Sequence, residues 1–192
     1  RYVPLYFITG ELDGDKMSRN GRDFDRYLTR PHYDVLIVEF IGRGQEHFYD
    51  EIHRLFTWME LHQRQFIQPE FSCVSMRPFD NFFWCLEVGG FPERSVVLPL
   101  AWPAPSGTRP ATTEYRKYVE NRLGIKTGAV QATLWLSPDW VDLNRPLEIT
   151  VNGRTRNFQV APSVEVLLED ARTRADRLHP FWARLELETG NR

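Results

Sequence analysis

The sequence predicts an α/β layer of strand, helix, strand and helix, followed by a mainly antiparallel, sandwich-like β-domain with one helix. Three observations predict it. Residues 1–65 alternate apolar strand runs with helical periodicity, the pattern of parallel strands joined by crossovers. Composition then shifts near residues 65–70, and beyond it short β-type segments alternate with turn signals. The 192 residues are 42% hydrophobic, with 13 Phe, 7 Tyr and 6 Trp, enough apolar surface to build two cores and to exclude disorder. The domains are read as residues 1–66 and 67–192, with the boundary between Gln65 and Phe71.

The first strand is Val3–Thr9, followed by a loop bearing Gly10 and Gly14. Ser18 or Asn20 caps a helix reaching Thr29, with Phe24, Tyr27 and Leu28 on its inner face, and Pro31 stops it. Asp34–Phe40 is a second strand, apolar enough to be covered on both faces. A glycine-bearing loop, Ile41–His47, leads into a helix from Phe48 to about Arg64. Phe48, Ile52, Leu55, Phe56 and Met59 recur at helical spacing there, and Asp50 and Glu51 sit in the first turn, where the helix dipole favours them.

In the second part, Phe71–Met76 and Phe82–Val88 read as a hairpin around Arg77–Asn81. Ser95–Leu100, Ala129–Leu136, Leu147–Val151 and Phe158–Val160 read as further β-type segments. Trp102–Pro110 is a proline-rich loop, and Thr113–Leu123 fits either a short helix or an irregular strand. Asn152-Gly153 is a two-residue hairpin signal. A late helix runs from Val164 to about Arg177, with Val164, Leu167, Leu168 and Ala171 on one face.

Charge and cysteine usage exclude several classes. The 24 Lys+Arg and 26 Asp+Glu leave a net charge of −2, against the broad basic surface that a nucleic-acid partner needs. No apolar run approaches the roughly 18–20 residues that span a bilayer, so no membrane partner is expected. Cys73 and Cys85 flank the expected hairpin, where a cross-strand bridge is geometrically permitted; the burial habit of cysteine favours two free buried thiols. No compartment is marked by the sequence. The chain opens at Arg1, directly in a strand pattern and with no signal peptide, which predicts a piece of a longer polypeptide.

Two loops follow the parallel strands, at the carboxyl ends where α/β sheets place their reactive groups. The first offers Glu11, Asp13 and Asp15; the second offers Gln45, Glu46 and His47. Asp13 and His47 lie about one strand-helix-strand unit apart, the arrangement that lets a carboxylate orient a histidine base. No calcium-loop register is present, and His32, His47, His53, His62 and His179 are too scattered for zinc, so no metal is expected. Gly42-Arg43-Gly44 is too short for a phosphate cradle, and no cofactor is expected.

Residues 1–65 resemble the C-terminal end of the catalytic domain of prolyl-oligopeptidase-like α/β-hydrolases, serine peptidases and esterases. The resemblance is carried by Ile8–Gly14, by Val38–Phe48 and by the helix pattern Asp50–Met59. It implies a Ser-Asp-His triad with Asp13 as the acid. The base position directly after Gly44 holds Gln45, whose amide is not basic, which leaves His47, two residues on, as the candidate base. No Gly-x-Ser-x-Gly elbow occurs in the 192 residues, so the nucleophile belongs to an upstream portion of the same polypeptide and this chain alone is expected to be inactive.

Residues 71–188 resemble the β-domain appended to some bacterial members of that group, and no functional residue carries over. Phe79, Phe82, Phe83, Trp84, Trp135 and Trp140 suit either a stacking platform for carbohydrate or peptide, or a sandwich core. The resulting expectation is a fragment of a serine hydrolase acting on a peptide or ester. The alternatives are a non-catalytic binding module and an inactive hydrolase paralogue. A partial α/β sheet predicts an exposed edge, which either pairs with a second copy or leans on the β-domain.

Overall fold

A computed structural model describes residues 2–14, 24, 26–101, 104–119 and 121–191. The chain divides into two units, Arg1–Arg64 and Gln65–Arg192, beside the division expected at residues 66 and 67. Its described residues are mainly β, in three sheets.

In the first unit, β1 (Leu5–Gly10) and β2 (Val35–Phe40) pair in parallel, from Leu5 opposite Val35 to Gly10 opposite Phe40. Most of the helix expected from Ser18 or Asn20 lies outside the described residues; Phe24 and residues 26–29 are helical. No residue of β2 is fully buried, against the expectation of cover on both faces, because β1 is the only strand beside it among the described residues.

One 3₁₀ turn, Tyr49–Glu51, precedes α1 (Ile52–Glu60), which is shorter than the periodicity predicts. Its inner face is also different. Ile52, Phe56 and Met59 are exposed, whereas Glu51 is buried and Leu55 and Trp58 are half-buried. Tyr6 of β1 sets this rotation: its ring meets Trp58 edge-on at 5.1 Å and its hydroxyl donates to Glu51 Oε1 at 2.5 Å. Two anchors on a single strand outweigh an aliphatic stripe that a two-stranded sheet is too narrow to cover.

The second unit builds two sheets. The five-stranded sheet holds, in spatial order, β10 (Arg154–Phe158), β9 (Leu147–Val151), β7 (Arg122–Thr127), β6 (Ala111–Lys117) and β3 (Glu70–Ser75). The four-stranded sheet holds β11 (Ala183–Glu188), β8 (Gln131–Leu136), β5 (Leu86–Gly89) and β4 (Phe82–Phe83). All neighbours are antiparallel except β7 and β9. Alternate residues are buried along most strands, as a pleated ribbon with one covered face requires. Phe71, Tyr115, Leu123, Ile125 and Ile149 of one sheet and Leu86, Val88, Leu134 and Leu136 of the other form the core. The buried Tyr115 hydroxyl faces the Cys85 thiol, and among the described residues the buried Trp140 indole N–H has no hydrogen-bonding partner.

Several expectations change here. Phe71–Met76 and Phe82–Val88 are not a hairpin: β3 joins one sheet and β4 the other, and the short β4–β5 hairpin turns at Trp84-Cys85. Cys73 and Cys85 are accordingly both free, Cys85 buried and Cys73 half-buried. Ser95–Leu100 is not a strand but lies between two 3₁₀ turns, Glu93–Ser95 and Pro99–Ala101, because Pro92 and Pro99 remove ladder donors. The segment Thr113–Leu123 resolves into β6, a turn at Asn121 and the start of β7. The turn at Asn152-Gly153 has φ of 47° and 83°, the pair of positive angles that a two-residue hairpin needs, and its second strand is Arg154–Phe158, so of the segment expected at Phe158–Val160 only Phe158 is strand. β11 carries alternating charge and was not among the expected strands.

The late helix, α2, spans Val164–Arg174, with Ser163 Oγ accepting from the Val166 N–H. Val164 and Leu168 are exposed, and the residue turned inward is Asp170. Its carboxylate accepts from the Phe181 N–H at 2.9 Å and pairs with Arg174, whose guanidinium lies 4.0 Å from the Phe181 ring. A charged pair over an aromatic ring therefore occupies the place read as an apolar stripe.

Candidate functional site

The parallel register brings the two strand ends side by side, and the loops that leave them are clasped. Glu11 N–H donates to the Phe40 carbonyl at 3.0 Å, and Leu12 N–H to the Arg43 carbonyl at 2.8 Å. The Glu11 carboxylate reaches across to accept from the Gly42 N–H at 2.8 Å. Gly10 permits this approach. A Cβ there would lie 2.5 Å from the Gly44 carbonyl oxygen and still nearer that of Arg43, so any other residue would force the backbones apart.

The second loop is braced by Arg43. Its guanidinium lies over Phe40 at 4.9 Å and Phe48 at 5.2 Å, two rings that stack at 5.0 Å. It also donates from Nε to Glu46 at 2.6 Å and from Nη1 to Asp50 at 2.5 Å. These bonds hold the Glu46 carboxyl below the usual carboxylate range. Glu46, read from the sequence as a loop offering, is thus committed to the brace.

Asp13 is half-buried on the first loop, its N–H donating to the Gly10 carbonyl at 3.1 Å. Asp15 lies outside the described residues. Gln45 and His47 are exposed on the second loop, and the His47 ring sits 5.7 Å from that of Tyr49. The two loops are brought together, but among the described residues no hydrogen bond or ion pair joins His47 to Asp13.

A different histidine–aspartate pair stands at the other end of the strands. His62, just beyond α1, has Nε2 2.7 Å from Asp34 Oδ2 and Nδ1 2.7 Å from the Trp58 carbonyl. Both partners can only accept, so the two bonds are made together only when both ring nitrogens carry hydrogen, as in the imidazolium. The Trp58 carbonyl and then Asp34 raise its pKa, in accord with that state. The Trp58 and His62 rings lie 4.1 Å apart. Sequence reading passed over this pair because the partners are 28 residues apart and no helical or strand spacing links them.

The aromatic cluster does not form one platform. Phe83 and Trp140 are buried in the sandwich, Phe79 and Phe82 are exposed, and Trp84 and Trp135 are half-buried. Trp135 donates its indole N–H to Glu87 at 3.1 Å. Among the described residues no three or more His, Cys, Asp or Glu side chains are grouped to hold a metal. The chain matches no family model, no curated protein and no solved structure.

Proposed function

We infer that the first unit is the acid-and-base end of a serine hydrolase, a peptidase or carboxylesterase, with Asp13 as acid and His47 as base. The observation that carries this reading is the clasp between the two loops at the carboxyl ends of adjacent parallel strands. Such a clasp keeps an acid loop and a base loop within one side chain's reach of each other, which a triad requires. The nucleophile then comes from an upstream portion of the polypeptide, whose strands would pair with the free edges of β1 and β2; pairing with a second copy is the competing use of those edges. In the working state His47 swings from Tyr49 towards Asp13, which orients the ring and stabilises the imidazolium formed on proton transfer.

The test is hydrolysis of activated esters and dipeptide anilides by the polypeptide carrying its upstream sequence. His47→Ala and Asp13→Ala should each lower kcat by about 10³-fold or more. The 192-residue chain by itself should turn over neither substrate. Undiminished turnover in His47→Ala overturns the assignment of the base, and undiminished turnover in both variants overturns the reading.

One observation favours a second reading, a non-catalytic module: the exposed His47 rests on Tyr49, with Gln45 in the position that the resemblance gives to the base. Absence of turnover together with failure of a fluorophosphonate to label any serine of the longer polypeptide would select it.

A further inference from the structure

The second unit carries an open groove of about 850 Å³ at one end of its five-stranded sheet. Its walls are the 92–95 segment, the residues that enter β6, the end of β7 and the Asn152-Gly153 turn. Among the described residues three cationic side chains line it, Arg94, Arg109 and Lys126, against a single carboxylate, Glu114, which lies 3.9 Å from Lys126. The two arginines are held on neighbouring backbones, since Arg109 N–H donates to the Arg94 carbonyl at 3.2 Å.

Neither guanidinium makes a hydrogen bond or ion pair among the described residues. Arg116, Arg122, Arg156, Arg172 and Arg174 of the same unit each hold a carboxylate, whereas Arg145 and Arg177, like Arg94 and Arg109, hold none among the described residues. Two unneutralised guanidiniums on adjoining segments leave their donors to water, so an incoming oxyanion can take up both. The groove floor is fixed beforehand. Asn152 bonds the backbone of Thr127 and Thr189, and Asn191 bonds the carbonyls of Thr127 and Ala129. Gly128 and Gly153 leave the space above it open, with nothing within 4 Å of where their Cβ atoms would stand.

The lining also selects among anions. Among the described residues no aromatic ring lines the groove, so none of them offers a nucleobase or a sugar ring a stacking surface. The walls are Pro92, Pro110, threonines and glycines, and an extended polypeptide lies against such walls without needing a deep pocket. We propose that this groove binds an acidic peptide segment, whose side-chain carboxylates seat on Arg94 and Arg109. The proposal is independent of the hydrolase reading, because the groove lies wholly in the second unit.

The test titrates the whole chain with fluorescein-labelled, amidated hexaglutamate, with hexaglutamine, oligothymidylate and inorganic phosphate as comparators. Hexaglutamate should bind, and its affinity should fall about fivefold or more between ~20 and ~200 mM salt, as screening of a surface charge contact requires. The double variant Arg94→Gln/Arg109→Gln should weaken it about tenfold or more, the loss expected for two charge-assisted contacts. Arg145→Gln, outside the groove, should leave it unchanged. Amide resonances of Gly128 and Gly153 should shift on titration of the unaltered chain, a readout that does not depend on the variants folding. Equal binding of hexaglutamine or of oligothymidylate overturns the proposal, as does binding of phosphate alone. Unshifted Gly128 and Gly153 amides overturn it as well.

Discussion

His62 shows how a single residue commits a region to a protonation state. Its two acceptors are both satisfied only by the doubly protonated ring, and its pKa in the folded chain is raised above the ordinary value. A raised folded pKa contributes stability that is fully present below the unfolded value near 6.5 and is lost as pH rises through the folded value. The ring C–H resonance of His62 should therefore titrate above the ordinary histidine value near 6.5, and the first unit should melt at a lower temperature at pH 9 than at pH 6. His62→Gln keeps one donor and should abolish that pH dependence; an unchanged pH dependence would show that the bond to Asp34 contributes nothing. Asp34 is well exposed, so the effect should shrink in salt. Gly10 acts differently, by lacking atoms rather than by bonding. Its role was legible as a loop glycine, but the carbonyls it makes room for lie more than thirty residues on.

At the scale of elements, α2 ends against its own stereochemistry. Ala175 closes it with φ 54°, in the left-handed region where a Cβ is unfavourable and glycine is the usual occupant. Ala175→Gly should raise the stability of the second unit by about 0.5–1 kcal/mol, read as a higher denaturant midpoint at unchanged slope. A lower midpoint would mean that the methyl packs usefully. The same helix marks where sequence reading stops. Its span and its serine cap follow from local signals, whereas its inner face does not, because Asp170 is inward only by virtue of Arg174 and the Phe181 N–H. In α1 periodicity identified the helix and chose the wrong face, since Tyr6 recruits Glu51 and Trp58 from another element. Strands β1, β2, β8 and β9 were legible from apolar runs. β7 and β11 were not, because their outward residues are charged and their inward ones too few to stand out. The two candidate loops were legible as loops after strands. The brace of Arg43 was not, because it depends on Phe40 and Phe48 stacking across the loop.

For the whole molecule, the thiols report on integrity. Cys85 has no solvent exposure, and burial pushes its thiol up to about 12; partial burial, followed by the Asp80 charge, pushes Cys73 up to about 11. A thiol reagent at pH 8 should modify Cys73 first, and Cys85 only at the rate at which the second unit unfolds. Simultaneous modification of both would mean that the sandwich opens around Cys85 locally. A local opening is disfavoured by the order of the strands. The chain passes between the sheets at β3→β4, β5→β6, β7→β8, β8→β9 and β10→β11, so neither sheet is a continuous stretch of sequence. β8 departs for the other sheet between two strands, β7 and β9, that pair with each other. During refolding, the loop through β8 must close before that parallel pair gains anything. Strand pairings so remote in sequence place folding on the order of milliseconds to seconds, slower than a helical chain of similar length. The neighbouring strands that make the finished sandwich hard to open are the ones that make it slow to assemble.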